Sequence, residues 1–255
     1  MATLPPGELV GRVALVTGAG RNIGRAIALA LASGGASIVV NARRNNAEAD
    51  AVAGEIAAAG GAALALLADV TDADAVGRMV EAAVARFGRL DILVNNAAVR
   101  RETPIDRMTL ADWREILAIT LDGAFNCVAA SLPHLRACGA GTIVNIGGLT
   151  AHTGAKNRAH VVTAKAGLVG FTRALAHDLA GDGITVNCVA PGLIATVRGA
   201  ASAPQPHHHT THATLIGRRG LPEEVAAMVR HLCGPGGRYV TGQTLHVNGG
   251  VYFGG

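Results

Sequence analysis

The sequence is dominated by a regular alternation of short apolar runs and longer helical stretches, and this alternation constrains the fold most. The runs "RVALVTGAG", "ASIVVNARR" and "LDILVNNAA" are short and rich in strand-forming residues. Between them lie stretches such as "IGRAIALALASGG", which has helical periodicity and ends in glycine. Strands separated by helices of about ten or more residues form parallel βαβ units. The sequence therefore predicts an α/β fold built on a parallel sheet.

The alternation runs through both halves of the chain without a linker or an internal repeat. The chain has 255 residues, a length that suits one α/β domain. We therefore predict that residues 1–255 form a single domain.

One segment, residues 196–220, interrupts the alternation of predicted strands and helices. It reads "TVRGAASAPQPHHHTTHATLIGRRG" and is long, irregular and rich in histidine and proline. In compact domains such a segment is more often a functional lid than a plain connection, so we predict a substrate lid. His208 and His212 would share a face in a helix, but nearby prolines disfavour one and we predict no metal site. An anion-binding rim that includes Arg218 or Arg219 is the alternative.

Composition narrows the classes of partner. Hydrophobic residues make up 50% of the chain, charged residues 16%, and the formal net charge is +4. The arginines are scattered, so we expect no nucleic-acid partner. No apolar run approaches the ~18 residues of a membrane span, and the start of the chain does not resemble a secretory leader. We therefore expect a cytoplasmic protein without a membrane partner. The four cysteines show no C-x-x-C spacing, which argues against a zinc or redox site.

The glycine-rich stretch "TGAGRNIG", residues 17–24, lies between the first predicted strand and the first helix. Glycines there permit a tight turn and let a phosphate approach the main chain, while the helix N-terminus offers free N–H groups. The spacing is G-x-G-x-x-x-G, and a purely structural turn is the alternative. Its place at the first strand–helix junction favours phosphate binding.

Further motifs occur in a fixed order along the chain. They are "NNAA" at residues 95–98, Lys165, "VAPG" at residues 189–192 and "TGQTLHVNGG" near the end. With the glycine turn, they resemble the short-chain dehydrogenase/reductase family over nearly the whole chain. The resemblance implies a doubly wound parallel sheet of the Rossmann type, a nicotinamide dinucleotide, a small-molecule substrate and a homodimer or homotetramer. One departure is Asn22, which stands where the family has its middle glycine. Since asparagine tolerates a left-handed backbone, we expect binding to persist.

The resemblance also implies which residues bind the cofactor. Among these, Asp69 is expected against the adenine and Thr196 against the pyrophosphate. The full set comprises Gly18, Gly20, Arg21, Asn22, Ile23, Gly24, Asn41, Arg43, Asp69, Val70, Asn95, Ala97, Lys165, Pro191, Gly192, Ile194 and Thr196.

The end of the second predicted strand indicates which dinucleotide binds. An NAD-selective site usually has a carboxylate there, bonded to the ribose 2′-hydroxyl. Here the strand ends at Asn41 and is followed by Arg43 and Arg44. An arginine can bind a 2′-phosphate by charge-assisted, bidentate hydrogen bonds. Arg21, in the glycine turn, adds a further cation. We therefore predict NADP rather than NAD.

The family's catalytic set is incomplete in this sequence. The resemblance implies Asn, Ser, Tyr and Lys, with tyrosine as the proton donor. Thr120, Gly148 and Val161 stand at the first three positions, and only Lys165 matches. Since valine cannot transfer a proton and acid–base catalysis typically contributes ~10²–10⁴-fold, the usual carbonyl reduction should be weak unless another group substitutes.

His160 is our candidate substitute, because imidazole titrates near neutrality. However, it points about 100° away from Val161 around a helix. We expect Lys165 and His160 to be catalytic and Gly148, Thr150, Arg158 and Val161 to line the substrate pocket.

These observations predict an NADP(H)-dependent oxidoreductase acting on a small carbonyl or alcohol, with an anionic substrate as one option. Two alternatives stay open. One is a cofactor-binding pseudoenzyme, and the other is a lyase or isomerase on the same scaffold. The helices around residues 110–137 and 162–180 are apolar on more than one face, which predicts a dimer or tetramer through them.

Overall fold

The computed structural model describes residues 7–197 and 213–254, and these residues build one seven-stranded sheet in the order β3-β2-β1-β4-β5-β6-β7. All six strand pairs are parallel. The strands are β1 (Val13–Val16), β2 (Ser37–Ala42), β3 (Ala63–Leu67), β4 (Ile92–Asn95), β5 (Thr142–Ile146), β6 (Thr185–Pro191) and β7 (Thr244–Val247). The helices are α1 (Asn22–Ser33), α2 (Asn46–Ala58), α3 (Ala73–Phe87), α4 (Leu110–Leu117), α5 (Gly123–Ala137), α6 (Thr150–Thr153), α7 (Ala159–Leu179) and α8 (Pro222–Cys233).

Helices cover both faces of this sheet, and alternate strand residues explain why. In β1, Ala14 and Val16 belong to an apolar cluster with α1 and α8. Val13 and Leu15 belong to a second cluster on the opposite face, with α3 and α5. Because successive side chains of a strand point to opposite faces, a strand buried on both sides needs a continuous apolar run. The predicted α/β fold with a doubly wound parallel sheet is thereby confirmed.

The order of the strands positions the site. The chain runs from β1 outward to β3, then returns to place β4 on the other side of β1. The connections after β1 and β4 therefore diverge at the carboxyl edge of the sheet. In open α/β sheets, ligands bind in the crevice that such a reversal leaves.

The longest helical stretch, Leu110–Ala137, is interrupted. Thr109 caps its start, since Asp112 N donates to Thr109 Oγ1 at 3.1 Å and Thr109 N donates to Asp112 Oδ2 at 3.1 Å. These reciprocal hydrogen bonds form a capping box. Residues Ala118–Asp122 form a π-helical turn between α4 and α5. Such turns are frequent at functional sites.

This stretch is also the one described helix that is long and apolar enough, by length and composition, to cross a membrane. Its residues Ile116, Cys127 and Leu135 are fully buried against the rest of the fold. Such burial is the environment of a core helix. Phe125, in contrast, is exposed on its outer face.

Asp91, just before β4, connects three neighbouring strands at the amino edge of the sheet. Its side chain is 1% exposed, accepts from Val13 N at 2.9 Å and pairs with Arg89 Nη2 at 2.6 Å. Its main-chain oxygen accepts from Thr142 N at 2.9 Å. The carboxylate therefore joins β1 to β4 from inside the fold.

We expect Asp91→Asn to lower the free energy of unfolding by about 2 kcal/mol, because Val13 N–H loses a charged acceptor inside the fold. Asp182→Asn is the matched control, since Asp182 pairs with exposed Arg136 at the surface. That change should cost no more than about 0.5 kcal/mol. Urea titrations at one protein concentration measure both, and equal losses would contradict the assignment.

Candidate active site

The turn between β1 and α1 brings the main chain unusually close to itself. A Cβ on Gly24 would lie 2.3 Å from Gly18 O, so only glycine fits there. Gly18 has φ +61°, and a Cβ on it would lie 3.0 Å from Ala97 Cα. Within the described ranges, no side-chain hydrogen bond caps the N-terminus of α1. A narrow turn ending in an uncapped helix start is suited to bind a phosphate through main-chain N–H groups.

Asn22 adopts the left-handed conformation that its place in this turn requires, with φ +50°. Its side chain forms two hydrogen bonds with Val197: Asn22 Nδ2 donates to Val197 O at 3.0 Å, and Val197 N donates to Asn22 Oδ1 at 2.8 Å. Asn22 therefore fastens the glycine turn to the start of the segment predicted as a lid. Of that segment, residues 198–212 lie outside the described residues.

A groove of about 670 Å³ opens at the carboxyl edge of the sheet beside this turn. Most predicted cofactor residues line it: Gly18, Gly20, Arg21, Asn22, Ile23, Gly24, Asn41, Arg43, Asp69, Val70, Ala97 and Thr196. Five predicted residues do not line it: Asn95, Lys165, Pro191, Gly192 and Ile194. The sequence reasoning missed other lining residues, among them Asn45, Glu48, Arg100 and Arg101.

The part of the groove next to the end of β2 is basic. Arg21, Arg43 and Arg44 are exposed there and line its wall. Asn41, at the end of β2, is 1% exposed, with Oδ1 accepting from Gly18 N at 3.3 Å and Nδ2 donating to Ala68 O at 3.1 Å. Many dinucleotide sites have a carboxylate at this position. In this protein it is occupied by a neutral amide, which holds the glycine turn by a hydrogen bond.

Asp69 supplies the groove with a carboxylate. Burial alone would raise its pKa, but hydrogen bonds from Thr71 and the charges of Arg43 and Arg44 outweigh burial, so the pKa is lowered. Asp69 is therefore an ionised acceptor at neutral pH. An ionised carboxylate here can accept from an amino group of a bound base.

Asn95 does not line the groove but is close to residues that do. Its Nδ2 donates to Asn145 Oδ1 at 2.9 Å, and Asn145 Nδ2 donates to Thr172 Oγ1 at 2.9 Å. With Thr17 and Thr120 it lines a second, smaller cleft. Asn95 therefore joins β4 to β5, and through Thr172 to α7. Thr120 reaches the same cleft from the π-helical turn.

The segment after β6 is fixed by close packing. A Cβ on Gly192 would lie 2.6 Å from Asn248 Cα, which makes glycine necessary. Ile194 pairs with Gly220 in an isolated parallel bridge. Pro191 ends β6 and leads directly into this turn. The described ends of the predicted lid are thereby held together beside the sheet.

Lys165 lies inside the protein at the end of β5. It is 7% exposed, and its Nζ donates to Ile146 O at 2.5 Å. Burial lowers its pKa to about 7, and the positive charges of Arg100 and Arg158 act in the same direction. The lysine therefore titrates close to neutrality.

Two positions beside this lysine carry no polar side chain. Val161, one helical turn earlier in α7, is 4% exposed and packs against Ile116 and Ala164. Gly148, after β5, has no atom of the described residues within 4 Å of where its Cβ would stand. The wall at this point is apolar, with room for a small added group.

His160 is fully buried, and neither of its ring nitrogens makes a well-formed hydrogen bond with the part of the chain that the structure describes. Burial lowers its pKa, partly offset by the main chain of Arg158, so the ring is neutral at pH 7. Arg158 is 4% exposed, and its charge acts on both His160 and Lys165. Thr150 is buried at the start of α6.

The sequence family described as "Enoyl-(Acyl carrier protein) reductase" matches residues 18–252. A 3-oxoacyl-[acyl-carrier-protein] reductase of Synechocystis is 42% identical over 244 residues, which cover 95% of this chain and 98% of the relative. The chain belongs to the short-chain dehydrogenase/reductase family. The resemblance noted from the sequence motifs is confirmed.

Solved short-chain dehydrogenase/reductase structures match the fold closely. A dehydrogenase/reductase from Sinorhizobium meliloti superposes with a TM-score of 0.90 at 36% identity, covering 96% of each chain. A short-chain dehydrogenase from Burkholderia cenocepacia, solved in complex with NADP, gives a TM-score of 0.88 at 36% identity, covering 96% of this chain and 99% of the other.

Asn22 gives a stability test of the turn. Asn22→Gly and Asn22→Ala both remove the two hydrogen bonds to Val197, but only alanine is strained at positive φ. We expect Asn22→Ala to be less stable than Asn22→Gly by about 1 kcal/mol. Urea unfolding of the two variants measures the difference. Equal stability would show that residue 22 does not hold the left-handed conformation.

Proposed function

We propose that the protein is an NADP(H)-dependent oxidoreductase that interconverts a small carbonyl compound and its alcohol. The observation that carries the proposal is the groove. At one end it has the glycine turn of Gly18 and Gly24 with the start of α1, where no described side chain forms a cap, and its wall is basic. The NADP complex of the Burkholderia cenocepacia relative supports it.

The residues present fit a dinucleotide phosphate. The narrow glycine turn suits the pyrophosphate, and Asp69 suits the amino group of the adenine. Arg43 and Arg21 suit a 2′-phosphate, and neutral Asn41 does not repel one. When bound, a reduced nicotinamide supplies a hydride to a carbonyl carbon. Lys165, Asn95, Pro191, Gly192 and Ile194 are proposed near the nicotinamide end by their match to the family.

We further propose that the catalytic set is atypical. Thr120, Gly148 and Val161 replace the asparagine, serine and tyrosine that the family resemblance implies. The apolar packing of Val161 and the open space at Gly148 support the proposal. His160 and Lys165 are the candidate catalytic groups, and Thr150 and Arg158 are candidate substrate contacts. The cations Arg100 and Arg158 favour an anionic group on the substrate.

The relative from Synechocystis suggests a first substrate to test. Since it is named a 3-oxoacyl-[acyl-carrier-protein] reductase, a short 3-oxoacyl thioester is a suitable probe, with free 3-oxo acids as the anionic comparison. Loss of the nicotinamide absorbance on addition of a probe supports the proposal. Tight cofactor binding without turnover would favour the second candidate, a pseudoenzyme, which the apolar cluster around Val161 also favours. Turnover with no change in the cofactor would indicate a lyase or isomerase.

We also propose that the chain assembles as a dimer or tetramer through α5 and α7. The support is that both helices carry apolar residues on more than one face, and that Phe125 is 59% exposed on α5. Light scattering at micromolar concentration should show at least a dimer. Phe125→Lys should shift it toward monomer, and a monomeric unmodified protein would contradict the proposal.

The first functional prediction concerns cofactor choice. We expect NADPH to bind at least ~10-fold more tightly than NADH, since a charge-assisted hydrogen bond contributes about 1.5–3 kcal/mol. Arg43→Ala and Arg21→Ala should reduce the ratio and leave NADH affinity nearly unchanged. Arg78→Ala, which changes an exposed arginine on α3, is the control. Calorimetry at one salt concentration tests this, and equal affinities in the unmodified protein would refute it.

The second functional prediction concerns Val161 and Gly148, which stand where the family resemblance implies tyrosine and serine. The double change Val161→Tyr with Gly148→Ser should raise carbonyl reduction by ~10²-fold, because it adds a phenolic proton donor. A serine at 148 displaces no atom of the described residues, since none lies within 4 Å of its Cβ position. Val161→Phe with Gly148→Ser adds the same ring without the hydroxyl and should give no gain. Similar rates for the two double variants would show that the phenol supplies no proton here.

A further inference from the structure

Lys165 is unusual among the cations of this chain. The sequence contains only two lysines, Lys156 and Lys165. Lys156 is exposed in the loop before α7, whereas Lys165 is buried and bonded to the carbonyl oxygen of Ile146 at 2.5 Å. Its hydrogen-bond acceptor is therefore a neutral group rather than a carboxylate. An ammonium in this position gives up its proton more readily than one paired with an acid.

Two arginines reinforce this property. The charges of Arg100, after β4, and Arg158, just before α7, lower the pKa of Lys165, whereas Cys188 of β6 acts in the opposite direction. The two guanidinium groups repel a second cation. Burial raises the pKa of the Cys188 thiol to about 11, so this group is neutral and does not act as a counter-ion at pH 7.

The other candidate proton donors have different surroundings. The only tyrosines are Tyr239, which is fully exposed, and Tyr252, which stacks on His152 with ring centroids 5.3 Å apart. Val161 offers no proton. His160 is buried, and its lowered pKa keeps it neutral at pH 7. Of the two lysines, Lys165 is therefore the buried one that can release a proton, and no described atom lies within 4 Å of a Cβ built on Gly148, after β5.

We propose that Lys165 is the proton donor of the reduction, replacing the missing phenol. This inference rests on the proposed function. As the carbonyl carbon gains a hydride, an N–H bond of the Lys165 ammonium breaks and an O–H bond forms on the former carbonyl oxygen. The products are an alcohol and a neutral amine, which regains its proton from solvent. The oxidation of an alcohol runs the same transfer in reverse.

The titration of Lys165 can be measured without any cofactor or substrate. Protein labelled with ¹³C at lysine Cε should give two side-chain signals, which Lys156→Arg and Lys165→Arg assign. We expect the Lys165 signal to shift near pH 7, in line with its lowered pKa of about 7. A Lys165 signal that moves only at the ordinary value, near pH ~10, would overturn the proposal.

Kinetics distinguish proton donation from a structural role. With NADPH and a 3-oxoacyl thioester, the maximal rate should be highest below the Lys165 pKa and fall as the pH rises through it, because the donor must be protonated. Lys165→Arg keeps a cation that does not deprotonate. Measured at saturating NADPH, so that any change in cofactor affinity does not enter, it should reduce the rate by ~10²-fold and remove the inflection. Lys156→Arg is the matched control and should behave as the unmodified protein.

Three results would overturn the proposal. The first is an unchanged rate and pH profile in Lys165→Arg. The second is loss of the inflection in His160→Gln alone, which would assign the proton to the imidazole. The third is absence of turnover across all carbonyl probes, which would refute the proposed function itself. In the first two cases the unmodified protein still turns over substrate, so only the assignment of the proton donor fails. In the third case the proposed function fails as well.

Discussion

The close approach of the main chain between Gly18 and Gly24 is the contact on which the site depends. It allows α1 to start immediately above the end of β1, so that its uncapped N–H groups face the crevice left by the reversal between β1 and β4. Asn41 braces the same turn from β2, and Asn96 Nδ2 braces it from β4 by donating to Gly18 O at 3.0 Å. A side chain at Gly24 would separate these elements, and the groove would lose its phosphate-binding wall.

The second determining feature is the burial of a lysine where the wall is otherwise apolar. Among the described residues, Lys165 donates to a main-chain carbonyl rather than to a carboxylate, and two guanidinium charges act on it. Burying a cation costs free energy, but in a catalytic group the same burial adjusts the pKa toward neutrality. Under our proposal, this lysine performs the proton transfer that the family resemblance assigns to a tyrosine.

Much of the fold could be predicted because periodicity and turn chemistry are local signals. The alternation of strands and helices, the Thr109 cap and the left-handed Asn22 all follow from neighbouring residues. Contacts distant in sequence could not be predicted in this way. The bond between Asn22 and Val197 joins positions 175 residues apart, and the approach of Arg100 to Lys165 depends on how β4 and α7 pack. The π-helical turn at Thr120 has no local sequence signal, and the histidines of residues 207–212 lie outside the described residues.

Transfer of deuterium tests the central claim, that the groove delivers a hydride to a carbonyl despite the altered catalytic set. The reduced cofactor NADPH, deuterated at the transferable position, is incubated with the protein and a 3-oxoacyl thioester, and the alcohol is analysed by mass spectrometry. We expect one deuterium on the carbinol carbon, and in the same time Lys165→Arg should form much less of this labelled alcohol. Tight binding of NADPH together with no labelled alcohol, from this probe or from free 3-oxo acids, would contradict it.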